Sequence, residues 1–257
     1  MILSKRAALN GVQLDELYPE IVIRSIDPGV PHETVSAVSR GRGFGQRVTG
    51  QHWDTLEVSV TYAIDLPKKK MALRRQIFDA VNTWALQKGW LTVNWLEGRR
   101  FWVDKVVVPG SGDLWNWTND YTIIFRAYSV PFWQDEIPAQ AVSSVTGNGS
   151  VALQVSGNVK SVLDISFQNR SGMTINNFQV QAAGNRIMLT SLGLGGSAVL
   201  KIFHGTDGLL RITAGGTNVY SKYSGADDLY VDPGPVTVSF AADRAGVLTA
   251  SCCGRWV

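Results

Sequence analysis

The sequence is poor in the residues on which metal and thiol chemistry depend, with two cysteines and three histidines in 257 residues. Cys252 and Cys253 are adjacent. On a strand, neighbouring side chains point to opposite faces, so a bridge between them is strained and reduced, structural thiols are expected. His32, His52 and His204 lie far apart, and none has a second histidine at metal-ligand spacing, which argues against a metal site built from them. No apolar run reaches the roughly 20 residues that cross a bilayer. Residues 1–11 carry no signal-peptide core after Lys5-Arg6, so folding in a cytoplasm without membrane insertion is expected. The net charge of +3 divides into +1 before Pro138 and +2 from there on, leaving no basic domain of the kind that grips nucleic acid.

Catalytic patterns are equally scarce. The acidic pairs Asp135-Glu136 and Asp227-Asp228 are the candidates for glycosidase carboxylates, but both fall beside turn signals and read better as solvated turn residues. Asp227, Asp228 and Asp232 lack the spacing of a calcium loop. The run Arg40-Gly41-Arg42-Gly43-Phe44-Gly45 has no preceding strand, following helix or Lys-Ser/Thr end, so a phosphate cradle is disfavoured against a partner-binding arm. No enzyme and no cofactor are expected.

What is present is concentrated in residues 67–133. Leu73, Ile77, Val81, Trp84 and Ala85 recur at helical spacing, Phe78 widens the stripe, and Gly89 marks a stop, predicting a helix over about 71–88. The period then changes to two. Leu91, Val93 and Trp95 alternate with polar neighbours, Glu97-Gly98 turns, and strands follow over 101–108 and 121–128. On this pattern Trp84, Trp95 and Trp102 read as core, whereas Trp115 and Trp117 sit in a polar stretch suited to an interface or a sugar platform. Upstream, Asn10-Gly11 predicts a tight hairpin turn and residues 21–26 a strand. Between residues 30 and 54 periodicity fails, although it returns at 56–62. A patternless insertion of this length usually binds something.

Composition shifts near residues 134–140. Eight of the nine tryptophans lie at or before Trp133, while sixteen of the twenty-six glycines follow Ile137. Two domains are expected, 1–137 and 138–257. The second reads as many short strands separated by Gly, Asn and Ser turns, including one over 219–223, which argues for a β-sandwich of jelly-roll type. Its aromatics, Tyr220, Tyr223, Tyr230 and Trp256, suit core packing, so a docking or spacing module without sugar affinity is expected. A basic cluster, Lys68, Lys69, Lys70, Arg74 and Arg75, crowds the helix start against the macrodipole. It reads either as a solvated face or as a subunit contact.

The order of these elements, from Asn10-Gly11-Val12 through the glycine-rich arm and the Trp84 helix to Val130-Pro131-Phe132-Trp133, resembles the distal tail protein family of long-tailed, non-contractile bacteriophages. The later run Asp-Asp-Leu-Tyr-Val-Asp-Pro-Gly (227–234) and the closing Gly254-Arg255-Trp256 extend the resemblance over nearly the whole chain. The resemblance implies a mainly β protein of the virion tail tip, assembled in the host cytoplasm as a homohexameric ring. Its partners would be the tail tube protein, the tail-associated fibre or lysin protein and receptor-binding proteins, and DNA would pass through without specific binding. It implies a ring-forming N-terminal domain with a projecting β-hairpin arm at about 35–54, and a galectin-like C-terminal sandwich. Interface residues on this reading are Arg40, Arg42, Phe44 and Arg47 of the arm and the five basic residues at the helix start. The rival readings are a glycan-binding sandwich module for host attachment and a cell-wall enzyme.

Overall fold

The computed structural model describes residues 5–39, 46–67, 69–110 and 120–257. The chain is mainly β, with one α-helix among the described residues, and its contacts divide it into two units, Met1–Trp133 and Gln134–Val257. In the first unit the elements run β1 Ala7–Leu9, β2 Val12–Gln13, β3 Ile21–Asp27, β4 Glu33–Ser39, β5 Gln46–Trp53, β6 Leu56–Ile64, α1 Met71–Ala85, β7 Gly89–Val93, β8 Arg99–Val103, β9 Lys105–Val107 and β10 Asp120–Ala127. Strand β11, Trp133–Asp135, lies at the division. Beyond it come β12 Ala139–Val145, β13 Asn148–Val155, β14 Ser161–Asn169, β15 Phe178–Ala182, β16 Asn185–Leu189, β17 Val199–His204, β18 Leu210–Ala214, β19 Thr217–Asn218, β20 Tyr223–Gly225, β21 Tyr230–Val231, β22 Gly234–Ala242, β23 Gly246–Cys252 and β24 Arg255–Trp256.

In the first unit one antiparallel sheet runs β2-β1-β7-β8 and a second runs β3-β6-β10-β9. Asn10 and Gly11 both have positive φ (53° and 81°), the requirement of a two-residue hairpin turn whose twist matches its strands. Asn10 also ties that turn to β7. Its amide donates to the Lys88 carbonyl and accepts from the Trp90 N–H, each at 3.1 Å. A side chain at Gly89 would collide with this amide, so glycine is needed there for close approach. The helix itself stops at Ala85. Ile77, Phe78, Val81 and Trp84 are buried, as the sequence spacing requires, and each contributes about 1.5–3 kcal/mol through burial. Edge-to-face pairs, Phe78 with Tyr121 and Trp84 with Phe125, lock α1 onto β10.

The second unit is a sandwich of jelly-roll-like kind. One sheet runs β12-β23-β14-β17-β18-β19, with β21 also pairing β14, and the other runs β13-β22-β15-β16-β20. Strict in-out alternation along β14 and β23 supplies Leu163, Ile165, Phe167, Leu248 and Ala250 to a single core, which Val151, Leu153, Val180 and Val238 enter from the opposite sheet. Cys252 is buried and unbridged, and Cys253 is half-buried. Desolvation, helped by the neighbouring Cys253, pushes the Cys252 thiol up to about 12.

Four expectations need correction. Tyr220 and Tyr230 are 45% and 43% exposed rather than packed in the second unit's core. Trp95 is 40% exposed rather than core, because β7 ends at Val93 and the Leu96 N–H closes a turn onto the Val93 carbonyl, so a period of two no longer governs residue 95. Trp102 is only half-buried and lies on the face of β8 opposite Phe101 and Val103. Residues 219–223 are not a strand; Tyr220–Lys222 forms a 3₁₀ turn that leads into β20.

Candidate assembly surfaces

Strands β4 and β5 pair only with each other among the described residues, forming a two-stranded ribbon over most of the segment where sequence periodicity fails. The failure has a physical cause. A ribbon exposed on both faces has no buried side to enforce alternation. Its root is fixed: Thr34 donates to the Asp54 carboxylate at 2.7 Å, the Asp54 N–H donates to the His32 carbonyl at 2.8 Å, and Trp53 packs edge-on against Phe132 at 5.4 Å. Further out, Val35, Val38 and Val48 are 49%, 56% and 57% exposed. The register shifts between Ser36 and Ala37, where Thr49 is the extra residue of a bulge. Ala37 is thereby paired with Val48, and with Val35 two residues back on β4 the three form one apolar stripe. Arg40, Arg42 and Phe44 lie outside the described residues, and the backbone of Arg47 pairs with Val38.

At the helix start the predicted cluster separates. Lys68 lies outside the described residues; Lys69, Lys70 and Arg75 are exposed. Arg75 makes a loose 3.9 Å ion pair with Asp79 one turn on. Arg74, by contrast, is 4% exposed. Its guanidinium donates to the carbonyls of Ile64 (3.1 Å) and Leu66 (3.2 Å) and to the Tyr121 hydroxyl (3.3 Å). It is an internal clamp between α1, β10 and the end of β6, and not part of a surface. The signal was the helical spacing itself, since Arg74, Ile77, Phe78 and Val81 share one face.

On the outer face of β7 and β8, Trp90 lies directly opposite Trp102, edge to face at 5.4 Å, and the Arg100 guanidinium stands 4.2 Å from the centre of the Trp90 ring. All three are half-buried. Tryptophan and arginine are the residue types that anchor protein interfaces. Alternation along Arg100-Phe101-Trp102-Val103 was the available clue that Trp102 faces away from the core.

The second unit holds charged groups that sequence reasoning placed in solvated turns. Asp135 accepts from the Trp256 indole N–H at 2.8 Å, from the Gly254 N–H at 3.2 Å and from the Ser156 hydroxyl. Asp228 faces His204 Nε2 at 2.7 Å, while Asp164 faces Nδ1 at 3.2 Å and accepts the His204 backbone N–H at 3.0 Å. The histidine side chain is 6% exposed. Ionised carboxylates only accept, so contact of one with each ring nitrogen favours the doubly protonated imidazolium. Burial opposes that charge, but the hydrogen bonds and fields of Asp164 and Asp228 together outweigh it, and the His204 pKa lies above its ordinary 6.5. Among the described residues no group of three or more His, Cys, Asp or Glu is arranged to hold a metal ion.

No family model matches the chain, and no curated protein matches it significantly. Its fold is similar to that of the SPP1 Dit (gp 19.1) protein, described as a paradigm of the hub adsorption apparatus in phages infecting Gram-positive hosts. The TM-score is 0.65 at 11% identity, over 96% of this chain and 98% of that one. Two structures of the phage p2 baseplate in its activated conformation, with Ca and with Sr, align at a TM-score of 0.48. Their identities are 6% and 8%, over 96% of this chain and 98% and 97% of theirs. At such identities the likeness to the SPP1 protein establishes a shared fold.

Proposed function

We propose that this chain is a structural, non-enzymatic component of a phage tail tip or baseplate, a distal tail protein that assembles as a hexameric ring in the virion. The observation that carries this reading is the match in fold to SPP1 Dit across 98% of that chain, both units included. On this reading residues 1–137 form the ring and residues 138–257, a galectin-like sandwich, face outward. The ring joins the tail tube to the tail-associated fibre or lysin protein, with DNA passing through it.

The ribbon supports the ring specifically. A closed ring needs a heterologous contact, in which one patch meets a different patch on the next copy. Among the described residues the β4–β5 pair offers exposed valines with no partner strand beyond itself, and Arg40, Arg42, Phe44 and Arg47 fall within or between the two strands in sequence. Lys69, Lys70 and Arg75 are the remaining basic candidates for a subunit contact. The test is to image the purified protein by negative stain and to compare it, by light scattering, with a deletion of residues 39–49 bridged by a short glycine linker. The wild type should form six-membered rings, and the deletion should leave folded monomers. A wild type that stays monomeric at tens of micromolar, or a deletion that still forms rings, overturns the respective part of the reading.

A further inference from the structure

The outer face of the second unit's β13-β22-β15-β16 sheet carries a cleft of about 310 Å³. Its floor is one cross-strand row set by register: Asn148 opposite Ala241, Ala241 opposite Gln179, and Gln179 opposite Met188. Neighbouring strands lie about 4.8 Å apart, so the two amides flank the alanine at a separation of roughly 10 Å. The small methyl of Ala241 leaves the space between them open. Thr190 and Asp243 complete the rim.

The hydrogen-bonding groups are held ready. Gln179 accepts from Arg186 through its amide oxygen, which fixes the amide plane and leaves its two N–H donors for the cleft. The Asn148 amide makes no bond within the described chain, so its donors and acceptor are also available. Asp243 is clamped by the N–H groups of Asn176 (3.0 Å) and Asn177 (2.7 Å). Partial desolvation works against its charge, but those bonds and the Asn177 amide prevail and hold its pKa below the ordinary value.

The geometry points to this cleft as a binding site for a short, neutral, hydroxyl-rich ligand, a mono- to trisaccharide unit of a glycan. Each hydroxyl both donates and accepts, which matches a rim that mixes amide donors, a carboxylate acceptor and a threonine hydroxyl. The Ala241 methyl and the Met188 thioether offer the apolar floor that a sugar ring's C–H face requires. Asp243 on the rim works against phosphorylated or acidic ligands, and the nearest cations, Arg186 on Gln179 and Arg244 beside Asp243, are not themselves part of the cleft's lining. The volume sits at the lower end of small-molecule sites, about 300–1,000 Å³, which fits a few sugar rings and no folded partner. The shortage of aromatics in this unit, which counts against sugar binding in the sequence, does not bear on a site built from planar amides.

This inference does not depend on ring assembly and is tested separately. Saturation-transfer NMR on the full chain, with neutral di- and trisaccharides of glucose, galactose and N-acetylglucosamine at millimolar concentration, should show contact with at least one. Gln179→Ala should weaken that binding at least fivefold, and Ala241→Leu should abolish it by filling the row. Asn148→Ala, at an exposed strand start, gives the same direction should the leucine variant fold poorly. No contact with any sugar of the panel, or binding that survives both Gln179→Ala and Asn148→Ala at wild-type strength, overturns the proposal.

Discussion

Replacing Arg74 by methionine keeps most of the aliphatic stem and removes the guanidinium, which makes it a sharp test of the buried clamp. Three hydrogen bonds disappear. The Ile64 carbonyl keeps a second donor, the Leu66 N–H at 3.0 Å, so the groups left without a partner are the Leu66 carbonyl and the Tyr121 hydroxyl. Each such loss costs about 1–3 kcal/mol, which gives roughly 2–6 kcal/mol in total. Against this, the variant no longer has to desolvate a guanidinium, a gain of a few kcal/mol at most. Removal of the Arg74 Nε–H, which is buried without a partner, also works in the variant's favour, so the net expectation is a loss of about 1–3 kcal/mol in urea unfolding followed by tryptophan fluorescence, with the m-value unchanged. Arg75→Met is the matched control: with a side chain 74% exposed and a 3.9 Å ion pair, it should cost under about 0.5 kcal/mol. Equal, small costs for the two variants would sink the argument and return Arg74 to the surface cluster.

The His204 pair predicts a pH dependence of definite sign. Its folded pKa is raised, so its contribution is full below the ordinary 6.5 and is lost as pH climbs through the elevated value. Thermal melts should show wild type losing stability on that alkaline side relative to His204→Gln, and parallel profiles for the two would refute the imidazolium assignment. Asp135→Ala strips the acceptor from the Trp256 indole, the Gly254 N–H and the Ser156 hydroxyl, and should cost about 2–4 kcal/mol in urea unfolding; a cost below about 0.5 kcal/mol would show that these bonds are replaced by water. Limited proteolysis should cut near Ile137, which is 83% exposed, and release a β-only fragment beginning between about 133 and 142. Cleavage confined to the later strands would contradict two separable domains.

Most of the architecture could be read from periodicity because most strands have one buried face. The alternation along β6, β10 and β14 and the stripe of α1 are direct imprints of burial. Legibility ended where that constraint ended. The β4–β5 ribbon buries neither face, so its strands left no pattern, and the period assigned to Trp95 outran the strand that justified it. Polar sites were hidden for another reason. Asp135 and Asp228 resemble turn residues locally, and their partners, Trp256 and His204, are 121 and 24 residues away. The row Asn148, Ala241, Gln179 and Met188 is likewise an alignment of four strands, which no local window contains.

The bulge at Thr49 makes the oily side of the ribbon a matter of register. If Thr49 were drawn into the ladder opposite Ala37, Val48 would move on to face Val38 and leave the side that carries Val35 and Ala37. Deleting Thr49 removes that alternative, because Ser36 keeps Gly50, Ala37 keeps Val48 and the stripe stays on its side with the pairing unbroken. The extra residue is therefore a slip point, and a partner fitted to the oily side would tolerate its loss but not its absorption into the pairing.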